Sequence, residues 1–207
     1  MNIYLLRHGE TDWNRAGRLQ GRTDIPLNEK GRAQMKHAGE ILRKSGIRMD
    51  LILVSPLSRA RESAEITAGG LDYPKEKILV EEMLIEQCFG EGEGLTPGER
   101  AARFPDDIFP GMESRGEILD RTRMLLRKMI DTYEDKEHIL LVAHGAIFYA
   151  LMSAFADGRF AYIGKSVIHD QGNVYLIRCG QDRTEMARYS EEKSTFEDVD
   201  FYDGRII

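Results

Sequence analysis

The chain has 207 residues, 42% of them hydrophobic and 31% charged, as expected for one soluble globular unit with a sizeable core. A net charge of −6 and a pI near 5.5 argue against nucleic acid or an anionic membrane as a general partner, so any attraction for phosphate must come from a few local arginines. Two cysteines make no disulfide framework, the N-terminal apolar run is too short for a secretory signal, and no stretch reaches membrane-spanning length, so the expected location is the cytoplasm.

The first predicted element is a buried strand at Ile3-Tyr4-Leu5-Leu6, stopped by Arg7-His8-Gly9-Glu10-Thr11. Asn28 reads as the N-cap of a helix running to about Lys44, with Met35, Ala38, Ile41 and Leu42 facing inward and His37 solvated or locally bonded. A buried strand through Val54 then runs into Ser55-Pro56-Leu57-Ser58-Arg59, where Pro56 keeps a helix from starting early. The helix that follows, over about 58–68, is expected to close at Gly69-Gly70. A strand near Ile78-Leu79-Val80 leads to the segment holding Glu86, and Thr96-Pro97-Gly98-Glu99 is a capping box for a short helix to about Phe104.

The next helix, about 116–133, carries Ile118, Thr122, Leu125, Leu126, Met129, Ile130 and Tyr133 at three- and four-residue steps. Ile139 to Ala143 is a further buried strand, ending in His144-Gly145 before an apolar helical stretch over 146–152. Two late strands are predicted at 174–177 and 184–188. The stretch 190–207 mixes acids with aromatics and fits a loosely packed tail, a dimer contact or a flap. Strands alternating with helices predict an α/β fold, a three-layer sandwich with a mostly parallel central sheet and helices on both faces. One domain is expected over 1–207.

Three strand-to-helix junctions therefore bring Arg7-His8, Arg59 and His144 to one edge of one sheet, where such folds bind ligands. Arg matches phosphate with a planar fork of donors, and a neutral imidazole is a competent nucleophile toward phosphorus. Like-charge repulsion from Arg7 and Arg59 is expected to keep His8 unprotonated.

Arg7-His8-Gly9-Glu10-Thr11, Trp13-Asn14, Gly17-Arg18-Leu19-Gln20-Gly21, Asp24-Ile25-Pro26-Leu27, Ser55-Pro56-Leu57-Ser58-Arg59-Ala60, Glu86-Gln87-Cys88-Phe89-Gly90, Gly111-Met112-Glu113-Ser114 and Val142-Ala143-His144-Gly145 occur in that order. Together, over about 1–155, they resemble the histidine phosphatase superfamily in its phosphoglycerate-mutase-like branch. The resemblance implies the same sheet with an added antiparallel edge strand. It implies a phosphohistidine on His8, with its other ring nitrogen fixed by a backbone carbonyl. Arg7, Arg59 and His144 would surround the phosphoryl group, Asn14 would be a further donor, and Gln20 and Gly21 would contact phosphate or substrate.

The leaving oxygen needs a proton and the attacking water must lose one. A single carboxyl can do both if burial and a dianionic substrate raise its pKa. The resemblance assigns this to Glu86, with Glu10 as the competitor by proximity in sequence. Arg100 and Arg103, on the short capped helix, are candidates to reach an acidic substrate tail. Two departures from the family pattern stand out. Gly92 replaces a usual Trp, which predicts a more mobile loop, and 163–167 lacks an expected Asn. Cys88 is expected to be a packing residue.

The reading is a phosphomonoesterase for a small phosphorylated metabolite, with no cofactor and no metal, as a monomer or homodimer. A phosphoglycerate mutase is the alternative, disfavoured by the short span from Glu86 to Ser114. A non-catalytic phosphate binder and a metallohydrolase built on His8 and His144 are further alternatives; neither histidine has a recognised metal-ligand spacing.

Overall fold

A computed structural model describes residues 1–155, 171–179 and 184–198. Strands β1 (Asn2–Arg7), β2 (Leu51–Val54), β3 (Leu79–Val80) and β4 (His138–Ala143) run parallel, in the spatial order β3-β2-β4-β1. Strands β5 (Val174–Cys179), β6 (Thr184–Ser190) and β7 (Thr195–Asp198) extend the sheet beyond β1 and are antiparallel. The antiparallel wing therefore has three strands among the described residues, where the resemblance implied one. Part of the supposed tail is an edge strand: β7 pairs with β6, while 199–207 lie outside the described residues.

Alternation along each strand divides the core in two. Ile3, Leu5, Leu51, Leu53, Ile139, Leu141, Tyr175 and Ile177 face helices α5 (Arg115–Thr132) and α6 (Gly145–Phe155). Tyr4, Leu6, Ile52, Val54, Leu140, Val142, Val174 and Leu176 face α2 (Glu29–Lys44) and α3 (Ser58–Gly70). The expected three layers are present. Strands β1 and β4 are neighbours, yet α2 lies on one face and α6 on the other, so a crevice opens at their carboxyl ends.

Local signals account for most helix boundaries. Asn28 caps α2 through Gly31 N–H at 2.9 Å, and Thr96 with Glu99, like Ser114 with Glu117, forms a reciprocal capping box at the start of α4 (Pro97–Arg103) and of α5. One boundary differs from expectation. Helix α3 continues through Gly69 and Gly70, because Gly70 packs against Gly39 of α2 and the two backbones meet there. Ile130, placed on the inner face of α5 by periodicity, is 61% exposed, whereas Ile118, Thr122, Leu125 and Met129 are buried.

The segment after Glu86 closes on itself. Phe89 bridges to Met112, Glu113 N–H donates to Cys88 O at 2.9 Å, and Glu91 N–H donates to Pro110 O at 3.0 Å. Gly92 lies under the Phe109 ring, and a Cβ there would meet that ring at 2.6 Å. Phe109 thus supplies the aromatic surface that the sequence lacks at position 92. Gly92 is buried, and the ring needs its bareness. The stretch 163–167 lies outside the described residues. Among the described residues no helix is long and apolar enough to cross a membrane.

Candidate active site

The ladder between β1 and β4 pairs Arg7 with Ala143, and His8 N–H extends it to Ala143 O at 2.9 Å. On the other side of β4, Ser55 N–H reaches Val142 O at 3.1 Å. Sheet register alone thus sets the residues after β1, β2 and β4 side by side. The His8 and His144 rings are 5.0 Å apart and both are buried.

His8 Nδ1 lies 2.7 Å from Gly9 O. A carbonyl can only accept, so the hydrogen is on Nδ1 and the lone pair is on Nε2. Arg59 Nε donates to that Nε2 at 3.3 Å. Arg59 is itself fully buried, its Nη2 donating to Gly21 O at 2.7 Å and its Nη1 to Thr23 O at 2.9 Å. Gly21 sits at φ +57°, left-handed backbone that few other residues adopt cheaply, and its carbonyl rather than a side chain is what the site uses.

A cavity of about 220 Å³ opens at the strand ends, lined by Arg7, His8, Asn14, Gln20, Gly21, Arg59 and Glu86. These are seven of the ten residues expected from sequence. His144 is an eighth brought to the site, but it stands behind His8 and outside the cavity lining, with Nε2 2.7 Å from Ser55 Oγ and with Nδ1 buried without a hydrogen-bond partner among the described residues. Arg100 and Arg103 are not brought there. Arg100 pairs with Asp107 and Arg103 with Glu91, carboxylates near them in sequence, so neither reaches the cavity.

Glu86 is buried with its carboxylate at the start of α6, accepting from Ile147 N–H at 3.2 Å and Ala146 N–H at 3.4 Å as well as Gln87 N–H at 3.0 Å. Glu10 faces away. Lys30, Asn28 and Arg15 bind its carboxylate and hold its pKa down at about 2, so it orders the turn after β1. Asn14 is the third helical residue of the short helix α1 (Asp12–Arg15), where its side chain caps Thr11 N–H. Its Oδ1 also accepts from Gln171 at 2.7 Å, and Asn14 is part of the cavity lining.

Sequence reasoning missed Arg18, Leu19, Phe89, Gly145, Ala146 and Tyr149, which complete the cavity wall. Arg18 and Leu19 lie inside a motif already singled out, Phe89 likewise, and Tyr149 follows one turn behind Gly145 on α6. Position within those motifs is the signal that could have found them. Ser55 was also visible, as the last residue before Pro56.

Burial lowers the His8 pKa well below its ordinary value, and Arg59 and then Arg7 lower it further. Desolvation outranks the charge repulsion anticipated from sequence. His144 is lowered the same way, by burial first and then by Arg59, His8 and Arg7. An imidazole that charges less readily when folded gives the unfolded chain the extra protons. Stability contributed by the pair is present above pH 6.5 and falls as pH drops through that value. Stability should therefore fall between about pH 7.5 and 5, and His144→Gln should flatten that fall in urea midpoints.

Among the described residues no cluster of three His, Cys, Asp or Glu side chains could hold a metal ion. The donor set argues the same: His8 Nε2 already faces a guanidinium, which a divalent cation would have to displace.

The chain is similar to known proteins in sequence and in fold. The model of the histidine phosphatase superfamily (branch 1) matches residues 3–192. A protein described as an uncharacterized phosphatase, PhoE of Bacillus subtilis (strain 168), is 40% identical over 156 residues, 75% of this chain and 78% of its own. A probable phosphoglycerate mutase, GpmB of Salmonella paratyphi B, is 34% identical over 166 residues, 74% of each. The solved structure of a mycobacterial glucosyl-3-phosphoglycerate phosphatase with VO3 superposes with a TM-score of 0.76 at 25% identity, over 89% of this chain and 96% of that one.

Proposed function

This chain belongs to the histidine phosphatase superfamily and is a phosphatase, and on that premise we propose that it hydrolyses a small phosphorylated metabolite through a phosphohistidine on His8. The observation that carries the proposal is the Nδ1 bond to Gly9 O, which puts the lone pair on His8 Nε2, where Arg59 Nε meets it at 3.3 Å on the wall of a cavity that Arg7 also lines. That lone pair attacks phosphorus, and the bond from phosphorus to the alcohol oxygen breaks. Glu86 gives the departing oxygen its proton, then takes one from the water that attacks phosphohistidine; the P–N bond breaks and phosphate leaves. His8 recovers its lone pair and Glu86 its proton.

Charge spreads over the equatorial oxygens during each transfer, so fixed donors matter more than covalent chemistry. Arg7 and Arg59 supply guanidinium forks, and Asn14 and Gln20 supply amide donors. His144 completes the set, with Nε2 held 2.7 Å from Ser55 Oγ and Nδ1 unpartnered among the described residues. No step needs a cofactor. The reading places the enzyme in the cytoplasm as a monomer or homodimer.

Phosphate release should be screened over sugar phosphates, phosphoglycerates, nucleotides and phosphopeptides. With 3-phosphoglycerate and a bisphosphate primer, inorganic phosphate is the expected product, and isomerised phosphoglycerate would make the chain a mutase. Glu86→Gln should slow hydrolysis of alkyl phosphates about 10²- to 10⁴-fold. It should slow the pre-steady-state burst of nitrophenolate from p-nitrophenyl phosphate far less, since nitrophenolate departs without a proton and the base role of Glu86 comes only afterwards. Equal losses in this first step on both substrates would remove Glu86 from the acid role.

A further inference from the structure

Glu93 is outside the cavity lining, yet its hydrogen bonds lead to it. Its Oε1 accepts from Arg22 N–H and Phe89 N–H, each at 3.0 Å, and its Oε2 accepts from Thr23 N–H at 2.9 Å and from the Thr23 hydroxyl. Four donors fill the capacity of one carboxylate. Burial pushes its pKa up, but the bonds from Thr23, Arg22 and Phe89 outweigh that and the net direction is down. A Cβ at Gly21 would overlap Glu93 Oε1, so the carboxylate is seated directly against the bend of the chain. The two carbonyls of that bend, Gly21 O and Thr23 O, are the ones that hold the Arg59 fork.

We infer that Glu93 is a positioning residue for phosphoryl transfer: it clamps the Gly21–Thr23 backbone in the arrangement whose carbonyls aim Arg59 at His8 Nε2 and at the phosphoryl group. A buried arginine has several orientations available, and the direction of its fork is decided by which acceptors are fixed around it. The inference rests on the phosphatase reading. A competing route exists through Phe89 N–H to the segment that bears Glu86, and the test separates the two.

Orthovanadate binding is measured by isothermal titration on the wild type, Glu93→Gln, Arg59→Ala and the double variant. Glu93→Gln should weaken binding about tenfold in the wild-type background and less than about twofold when Arg59 is already alanine. Its kcat should fall about tenfold while the limb of the pH–rate profile not set by His8 stays in place. Equal losses in both backgrounds, unchanged vanadate affinity, or a displaced limb traceable to Glu86 would each overturn the inference. A wild type that neither binds vanadate nor releases phosphate would instead sink the phosphatase reading beneath it. Should Glu93→Gln fail to fold, Thr23→Val removes one donor and keeps the carboxylate; about threefold weaker vanadate binding is then expected, and unchanged binding overturns the inference.

Discussion

His8→Ala should lower phosphomonoester hydrolysis by on the order of 10⁴-fold or more, with orthovanadate still bound. The nucleophile acts as part of a two-step route, and without it only the direct attack of water on a bound monoester remains. Arg7 and Arg59 still offer their donors to an anion in the emptied space. What is lost is one neutral ring, its hydrogen bonds with Gly9 O and Arg59 Nε, and the ring contact with His144. Rapid quench with ³²P-labelled substrate checks the claim directly. The wild type should carry an acid-labile adduct on His8 and the variant none, and wild-type turnover by the variant would move the nucleophile elsewhere.

Arg59→Ala should cost about 10³-fold or more in kcat/KM, judged by what positioned arginines supply in phosphoryl transfer. Arg59→Lys should recover less than about tenfold of that loss, since one ammonium cannot replace a planar fork that spans Gly21 O, Thr23 O, His8 and a phosphoryl group together. A second readout has a definite sign. After burial itself, Arg59 is the largest influence lowering both histidine pKa values. Its removal should therefore raise them, and the acid limb set by protonation of His8 should move to higher pH. An alanine variant with an unmoved limb would mean that the guanidinium charge does not reach the imidazole.

The histidine pair and the arginine were legible in the sequence because each follows directly on an apolar run, and a strand delivers its next residue to a known edge of the sheet. Helix starts at Asn28 and Thr96 were legible because their capping partners lie three residues away, whereas the same signal at Ser114 with Glu117 was passed over. What misled was tertiary. Gly69-Gly70 has the composition of a helix end but serves a contact with Gly39 on another helix. Arg100 and Arg103 looked available because their partners, Asp107 and Glu91, are not fixed by periodicity. Glu93 could not be found at all: its ligands at 22 and 23 are about seventy positions away along the chain, and nothing local distinguishes it from the acids at 91 and 99. The short helix at Asp12–Arg15 went unseen because Asn14 stands where a capping box usually has Glu or Gln.

The paired backbones at 88–91 and 110–113 have a consequence for how this molecule can vary. Residues 96–108, α4 included, hang from this stem beyond Glu93, Gly94 and Leu95, whose bonds to 19, 22 and 23 belong to the site, so lengthening the hanging part disturbs neither end. Doubling its length would add only about 0.6 kcal/mol of closure entropy. The stem borders Phe89 on the cavity wall. This piece of chain is a cassette: exchange of its contents can change what overhangs the entrance while the phosphorus chemistry below continues undisturbed.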